Sequence, residues 1–265
     1  MPIKNQKSKI ENHQALCIIP ARYASTRLPG KPLLADTGKT LIQHVVENAQ
    51  KASLISRAVV ATDDQRILNA VQQAGLHAVM TGEHPNGTSR IAEAVSNIET
   101  QTGETLDDQS LIINVQGDEP EINPRVIDQL IQGLAADVNA PMATLCSRFT
   151  PDEPTNNPNI VKLVKNRLNR AMYFSRNTIP FNRDGESGVT IYKHPGLYAY
   201  RRGFLKIYPT LAPTSLENTE KLEQLRVLEH GHAITVIEAD APEPGIDTPE
   251  QYADFVARYR MQSGS

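Results

Sequence analysis

A chain of 265 residues, 39% of them hydrophobic, is long enough to bury a full core and reaches the upper end of what one α/β domain holds. Its 27 lysines and arginines against 30 acids leave a formal charge of −3, without the cationic excess a general nucleic-acid binder uses to displace counterions, so any phosphate affinity has to be local. Cys17 and Cys146 each sit inside an apolar run, which argues against a disulfide framework and fits a reducing compartment.

Residues 1–14, MPIKNQKSKIENHQ, are polar and hold no apolar core of signal-peptide length, so a flexible tail is expected there. No apolar run of membrane-spanning length occurs, and the expected location is the cytoplasm, with no membrane partner and no nucleic acid. From Ala15 onward short β-branched runs alternate with helical patterns: LCII, TLIQHVVENAQKA, RAVVAT, DQRILNAVQQAG, HAVMT, TSRIAEAVSNI, LIINVQGDE, PRVIDQLIQGLAA and MATLCSRF. That rhythm predicts βαβ units around a largely parallel sheet. Thr40, Thr62 and Asn123 with Pro124 mark helix starts, and Gly75 ends a helix. TPDEPTNNPN then opens an excursion of about 151–210, in which IVKLVKN, AMYFSRN and GLYAYRR read as antiparallel strands of a smaller lobe. A long helix capped by Ser215 and ending near Gly231, a strand AITVIEA and a last helix EQYADFVARYR return the chain to the α/β pattern. The expectation is one domain over residues 15–265 carrying that lobe.

Four stretches carry candidate chemistry. In IPARYASTRLPGKPL the cations Arg22, Arg27 and Lys31 follow an apolar strand, with Gly30 allowing close backbone approach and Pro29 and Pro32 stiffening the loop. Neither the Walker pattern nor the dinucleotide fingerprint fits; the loop is either a cradle for a polyphosphate or a solvated loop whose cations pair with carboxylates. In IINVQGDEP, Asp118 at a strand end is placed for Mg²⁺ beside substrate phosphates or is a turn acid, while Glu119 reads as a helix-capping acid. In PGIDTPEQY, Thr248 and Gln251 form a capping box with Pro249 first in the helix, leaving Asp247 as a second metal candidate. Glu223 shares a helical face with Leu216 and Val227, aimed at a ligand hydroxyl or paired with Arg226. Asp63 and Asp64 read as first-turn acids, His194 as a substrate-carboxylate partner or a structural residue, and His230 and His232 suggest no zinc site.

The cradle, QGDEP and DTPE occur in this order together with VATDD, MATL, YFSR, LYAYR and LEQLRVLE, and over about Ala15 to Tyr259 the chain resembles the 3-deoxy-manno-octulosonate cytidylyltransferase family of Gram-negative lipopolysaccharide biosynthesis. The resemblance implies a nucleotide-diphospho-sugar transferase type of fold, a homodimer, and Mg²⁺-dependent transfer of CMP from CTP to the keto-sugar acid Kdo with release of pyrophosphate. It implies that Arg22, Arg27 and Lys31 hold the triphosphate and, with Asp118, carry the catalysis. Asn86 and Gly87 would meet the nucleotide, and Gln116 the substrate. Asp118 and Asp247 would hold Mg²⁺, and Arg176, His194, Tyr198, Glu223 and Gln224 would line the sugar-acid pocket. The chain departs from the family at Ser89, where an acid is usual, and at Pro195, where an aliphatic residue is usual. Rival expectations are CMP transfer to another keto-sugar acid, amino-substituted or sialic-acid-like, and a non-catalytic nucleotide-sugar-binding paralogue.

Overall fold

The computed structural model describes residues 14–24, 27–150, 152–185, 188–240 and 245–263, so the expected tail lies outside the described residues except for Gln14. In chain order the elements are β1 (Ala15–Ala21), α1 (Leu41–Ala49), β2 (Ile55–Thr62), α2 (Gln65–Gln73), β3 (His77–Met80), α3 (Gly87–Thr102), β4 (Leu111–Asn114), α4 (Pro124–Ala136) and β5 (Met142–Arg148). There follow β6 (Lys162–Lys165), β7 (Ala171–Ser175), β8 (Tyr192–Lys193), β9 (Tyr198–Arg201), α5 (Arg202–Ile207), α6 (Ser215–Glu220), α7 (Gln224–Glu229), β10 (Ile234–Glu238) and α8 (Pro249–Ser263). The described residues form two compact units: those of 15–106 with 113–127 and 245–263, and Gln14 with 107–112 and those of 128–240.

In the first unit β1 and β3 flank β2 in parallel, and the end of β4 lies beside β1, where the amide of Val115 donates to Ile18 O at 3.2 Å. β1 is covered on both faces, so its run Cys17, Ile18 and Ile19 is apolar without alternation and fully buried. The helices present single apolar stripes, such as Leu41, Ile42, Val45, Val46 and Ala49 on α1. Thr40 caps α1 by accepting from the Gln43 amide, as the sequence predicts. The cap of α2 is Asp64, not Thr62: Thr62 ends β2 fully buried, and its hydroxyl accepts from the Asp64 amide instead. α8 lays Tyr252, Phe255 and Val256 on Leu28, Leu41 and Ile246, which fixes the loop holding Arg27 and Lys31.

In the second unit β5 pairs with β10 in parallel and with β9 and β8 in antiparallel, and β6 pairs with β7 and β8 in antiparallel. The mixed α/β architecture with antiparallel strands is the expected class. The run GLYAYRR, expected in the small lobe, instead forms β9 antiparallel to β5, its residues 198–200 buried. The described residues of 151–210 all lie in this unit. The expected long helix is two short ones: Lys221 takes a left-handed backbone (φ 55°) between α6 and α7, and Thr214 with Glu217, not Ser215, forms the capping box.

Candidate functional site

A cleft of about 730 Å³ in the first unit is lined by Arg22, Arg27, Lys31, Asp118 and Asp247. Asn86, Gly87 and Gln116 line it as well, so every candidate expected near phosphate, nucleotide or metal meets in one place. Its floor follows from local structure. Gly30 adopts φ +67°, where a side chain would strain the backbone, and starts the turn that projects Lys31 inward. Gly117 lets the β4 end approach the β1 end, since a Cβ there would stand 2.6 Å from Pro20 O. Across the chain, the Ile246 amide donates to Asp118 O at 2.8 Å and thereby sets Asp247 beside Asp118.

The Lys31 ammonium, its side chain 11% exposed, donates to Asp118 Oδ2 at 2.8 Å, Ile246 O at 2.7 Å and Asp247 Oδ1 at 3.1 Å. Arg27 reaches the other Asp247 oxygen at 2.9 Å. Arg27 and Lys31 thus pair with carboxylates, as the second reading of this loop has it, and those carboxylates are the two candidate metal ligands. Arg22 is exposed on the rim, and among the described residues it makes no ion pair. The capping box of α8 forms as predicted, Gln251 Oε1 accepting from the Asp247 and Thr248 amides at 2.8 and 3.0 Å, and this holds the backbone of Asp247. Asn86 caps α3 by accepting from the Ser89 amide at 2.9 Å; Ser89 itself does not line the cleft. Glu119 caps no helix. It is buried with Oε2 unpartnered among the described residues, and burial, then the Asp118 charge, pushes its carboxyl well above the usual carboxylate range. Neither Asp63 nor Asp64 lies in the first turn of α2 as expected: Asp64 is its cap, and Asp63 pairs with buried Arg90 at 2.6 Å.

The sugar-pocket candidates lie in the second unit. Arg176 Nε donates to Glu220 O at 2.7 Å, Nη1 to Pro158 O at 3.1 Å and Nη2 to Lys221 O at 3.3 Å, which leaves one N–H on each terminal nitrogen. His194 is buried, packed edge-on to Phe174 at 4.9 Å and beside Tyr198 at 5.3 Å. Burial pulls its imidazole down to about 3, so it is neutral at physiological pH. The Thr144 hydroxyl gives its proton to Leu197 O at 2.6 Å and so accepts from His194 Nε2 at 2.9 Å, which fixes the tautomer. Tyr198 keeps its phenolic proton, its pKa raised by burial and then by the Glu223 charge. Glu223 is the N-cap residue of α7 and does not share a continuous helix with Leu216; the alternative partner Arg226 is taken by Glu217, at 2.6 and 2.7 Å. Gln224 is buried with Nε2 unpartnered among the described residues.

Sequence reasoning missed His84, which lines the first cleft with its ring held by Glu93, and it missed Lys162 and Glu220, which organise the surroundings of Arg176. The signal for Lys162 was present: a lysine inside the apolar run IVKLV. Among the described residues no group of three or more His, Cys, Asp or Glu side chains is arranged to hold a metal by itself. No helix in them is long and apolar enough to cross a membrane.

Residues 16–234 match the family model described as Cytidylyltransferase. The 3-deoxy-manno-octulosonate cytidylyltransferase of Syntrophus aciditrophicus is 46% identical over 239 residues, covering 90% of this chain and 94% of that protein. That of Syntrophobacter fumaroxidans is 47% identical, with 88% and 92% covered. Among solved structures, CMP:2-keto-3-deoxy-manno-octonic acid synthetase complexed with CTP superposes with a TM-score of 0.85 at 42% identity, covering 94% of this chain and 99% of that one. A 4-diphosphocytidyl-2C-methyl-D-erythritol synthase shares the fold alone, with a TM-score of 0.61 at 14% identity and 93% and 98% covered. The chain is thus a nucleotidyltransferase, and it belongs to the 3-deoxy-manno-octulosonate cytidylyltransferase family.

Proposed function

We propose that the protein transfers CMP from CTP to the anomeric hydroxyl of 3-deoxy-manno-octulosonate. The anomeric oxygen bonds to the α-phosphorus and loses its proton to solvent, the bond from that phosphorus to the bridging oxygen of the β-phosphate breaks, and pyrophosphate leaves with the electron pair. The observation that carries this reading is the convergence of Arg27, Lys31, Asp118 and Asp247 in one cleft, in a chain similar to a CTP-complexed synthetase. Arg22, Arg27 and Lys31 neutralise charge accumulating on the leaving pyrophosphate, since phosphoryl transfer is mostly positioning and electrostatics. Asn86 and Gly87, at the N-terminus of α3, and Gln116 face the nucleotide.

The residues fit a divalent cation. Asp118 and Asp247 already share one cation, the Lys31 ammonium, and two hard carboxylates plus substrate phosphates make a Mg²⁺-type donor set. Mg²⁺ would supply charge neutralisation between attacking and leaving oxygens. Lys31 uses all three N–H groups on the protein, so meeting phosphate requires it to give up at least one of these contacts.

Arg176 offers its two remaining N–H groups to the sugar-acid carboxylate, and the unpartnered Gln224 amide supports a polar ligand beside it. Neutral His194 and protonated Tyr198 act there as hydrogen-bonding groups, not charges, with Glu223 nearby as an acceptor. The working unit is proposed to be a homodimer formed through the 151–210 segment, where Leu168, Met172 and Phe181 are exposed at 75%, 62% and 86%. A cytoplasmic enzyme supplying lipopolysaccharide synthesis fits this substrate pair.

Pyrophosphate release measured with CTP against other nucleoside triphosphates, and with Kdo against 8-amino-Kdo and sialic acid, tests the reading. CTP with Kdo is expected to give the highest kcat/KM. Release with no pair would refute catalysis, and preference for another acid would move the substrate assignment.

A further inference from the structure

Lys162 is fully buried on β6, and it has no carboxylate within ion-pair distance among the described residues. Its Nζ donates instead to Asn157 O at 2.9 Å, Ile160 O at 2.8 Å and Arg176 O, which exhausts its three donors on backbone carbonyls. A position that needed only filling would be better served by an apolar side chain, because an ammonium removed from water loses more than a Met or Leu would. What the ammonium does here is satisfy three carbonyls at once and tie the loop before β6 to the residue that follows β7.

Arg176 is in this ring twice. Its carbonyl receives Lys162, and its guanidinium grips Pro158 O, in the middle of the segment that Lys162 holds at Asn157 and Ile160. Glu220 closes the other side, accepting from the Arg176 amide at 2.9 Å and from Ser175 Oγ at 2.7 Å, while its own carbonyl accepts from Arg176 Nε. The guanidinium is thus immobilised by carbonyls and keeps its charge free of a carboxylate partner among the described residues, with one N–H on each terminal nitrogen unused. Preorganisation of this kind is what a bidentate carboxylate contact needs.

We propose that Lys162 is a positioning residue for sugar-acid binding: it fixes the backbone of Arg176 and the 157–160 segment so that the guanidinium fork stands ready for the substrate carboxylate. This rests on the assignment of Arg176 to that carboxylate. Lys162 touches no substrate itself and does not act on CTP.

The test is steady-state kinetics of Lys162→Met, Arg176→Ala and the double variant, with CTP and Kdo varied separately. Lys162→Met is expected to raise KM for Kdo about ten-fold while KM for CTP stays within about two-fold, and to add nothing further in the Arg176→Ala background. A general packing role would raise both KM values together, and multiplicative losses in the double variant would show that Lys162 does not act through Arg176; either overturns the proposal. Unchanged Kdo KM in Lys162→Met with a raised value in Arg176→Ala overturns the Lys162 role alone. Unchanged Kdo KM in Arg176→Ala overturns the carboxylate assignment and the proposal with it. Should Lys162→Met fail to fold, hydrogen exchange on the wild-type protein decides: Kdo is expected to protect residues 157–160 and 175–177 together, and no protection there refutes the idea.

Discussion

Gly117→Ala is the sharpest probe of how the first-unit cleft is assembled. The added Cβ would stand 2.6 Å from Pro20 O, with Ile42 Cδ1 at 3.4 Å and Ala21 Cβ at 3.5 Å closing the sides. The obstacle is backbone, so the ends of β1 and β4 must part by about 0.8 Å to restore ordinary contact at 3.4 Å. Overpacking of this size typically destabilises by about 1–3 kcal/mol, and the reduced freedom of the unfolded chain returns about 0.4–1 kcal/mol. A net loss of about 1–2 kcal/mol lowers the melting temperature by about 2–8 °C in a chain of this size. Arg22 lies two residues after Pro20 and Asp118 one after Gly117, so the same displacement separates a phosphate cation from a carboxylate. Misplacement approaching 1 Å costs up to about 100-fold, and kcat/KM is expected to fall about 10- to 100-fold. Pyrophosphate release and thermal unfolding are measured on this variant and on Gly133→Ala, whose Cβ would meet Ile237 Cγ1 at 2.3 Å in the packing of α4 on β10. Gly133→Ala is expected to keep kcat/KM within about two-fold. Wild-type kcat/KM in Gly117→Ala, or equal losses in both variants, would refute the reasoning.

Asp118→Asn and Asp247→Asn are each expected to cut kcat sharply and non-additively, because they share one cation; multiplicative losses in the double variant would separate their roles. Lys31→Ala is expected to lose most turnover with an unchanged circular dichroism spectrum, and normal turnover would contradict its phosphate role. His194, with a folded pKa of about 3 against 6.5, is protonated only in the unfolded chain over that interval, so stability is lost as pH falls below about 6.5. By linkage the loss is about 1.4 kcal/mol at about pH 5.5, read by urea unfolding; a His194→Asn variant with the same acid slope would exclude this source. Burial pushes the Cys17 thiol up to about 12 and that of Cys146 to about 11, so neither is expected to react with a disulfide reagent at about pH 8 until the chain is unfolded in urea.

The strands and helices of the first unit were legible because burial on two faces leaves unbroken apolar runs and single-face burial leaves stripes. The cleft was legible because phosphate chemistry confines its residues to strand ends and the turns after them. The break at Lys221 was not. The apolar period of SLENTEKLEQLRVLE runs through it without Gly or Pro, and the left-handed Lys221 is held by tertiary bonds: its carbonyl accepts from Arg176, and Glu220 is anchored on Ser175 and the Arg176 amide. Likewise alternation announces Tyr198–Arg201 as a strand but cannot name its partner, which is β5. The burial of Glu119 was hidden because a turn acid and a neutral interior carboxyl have the same letter.

The pairing of Arg27 and Lys31 with Asp118 and Asp247 has a consequence for how the protein is handled and loaded. Arg27 and Lys31 stand against Asp118 and Asp247, so in the folded chain these two carboxylates carry their own counterions. Chelators are then expected to leave the melting temperature where it is. On the proposed chemistry, a divalent ion accepted by the carboxylates frees the ammonium to turn to phosphate, which couples uptake of nucleotide and ion. Each then tightens the other by the same factor, and the order of their addition ceases to matter at equilibrium.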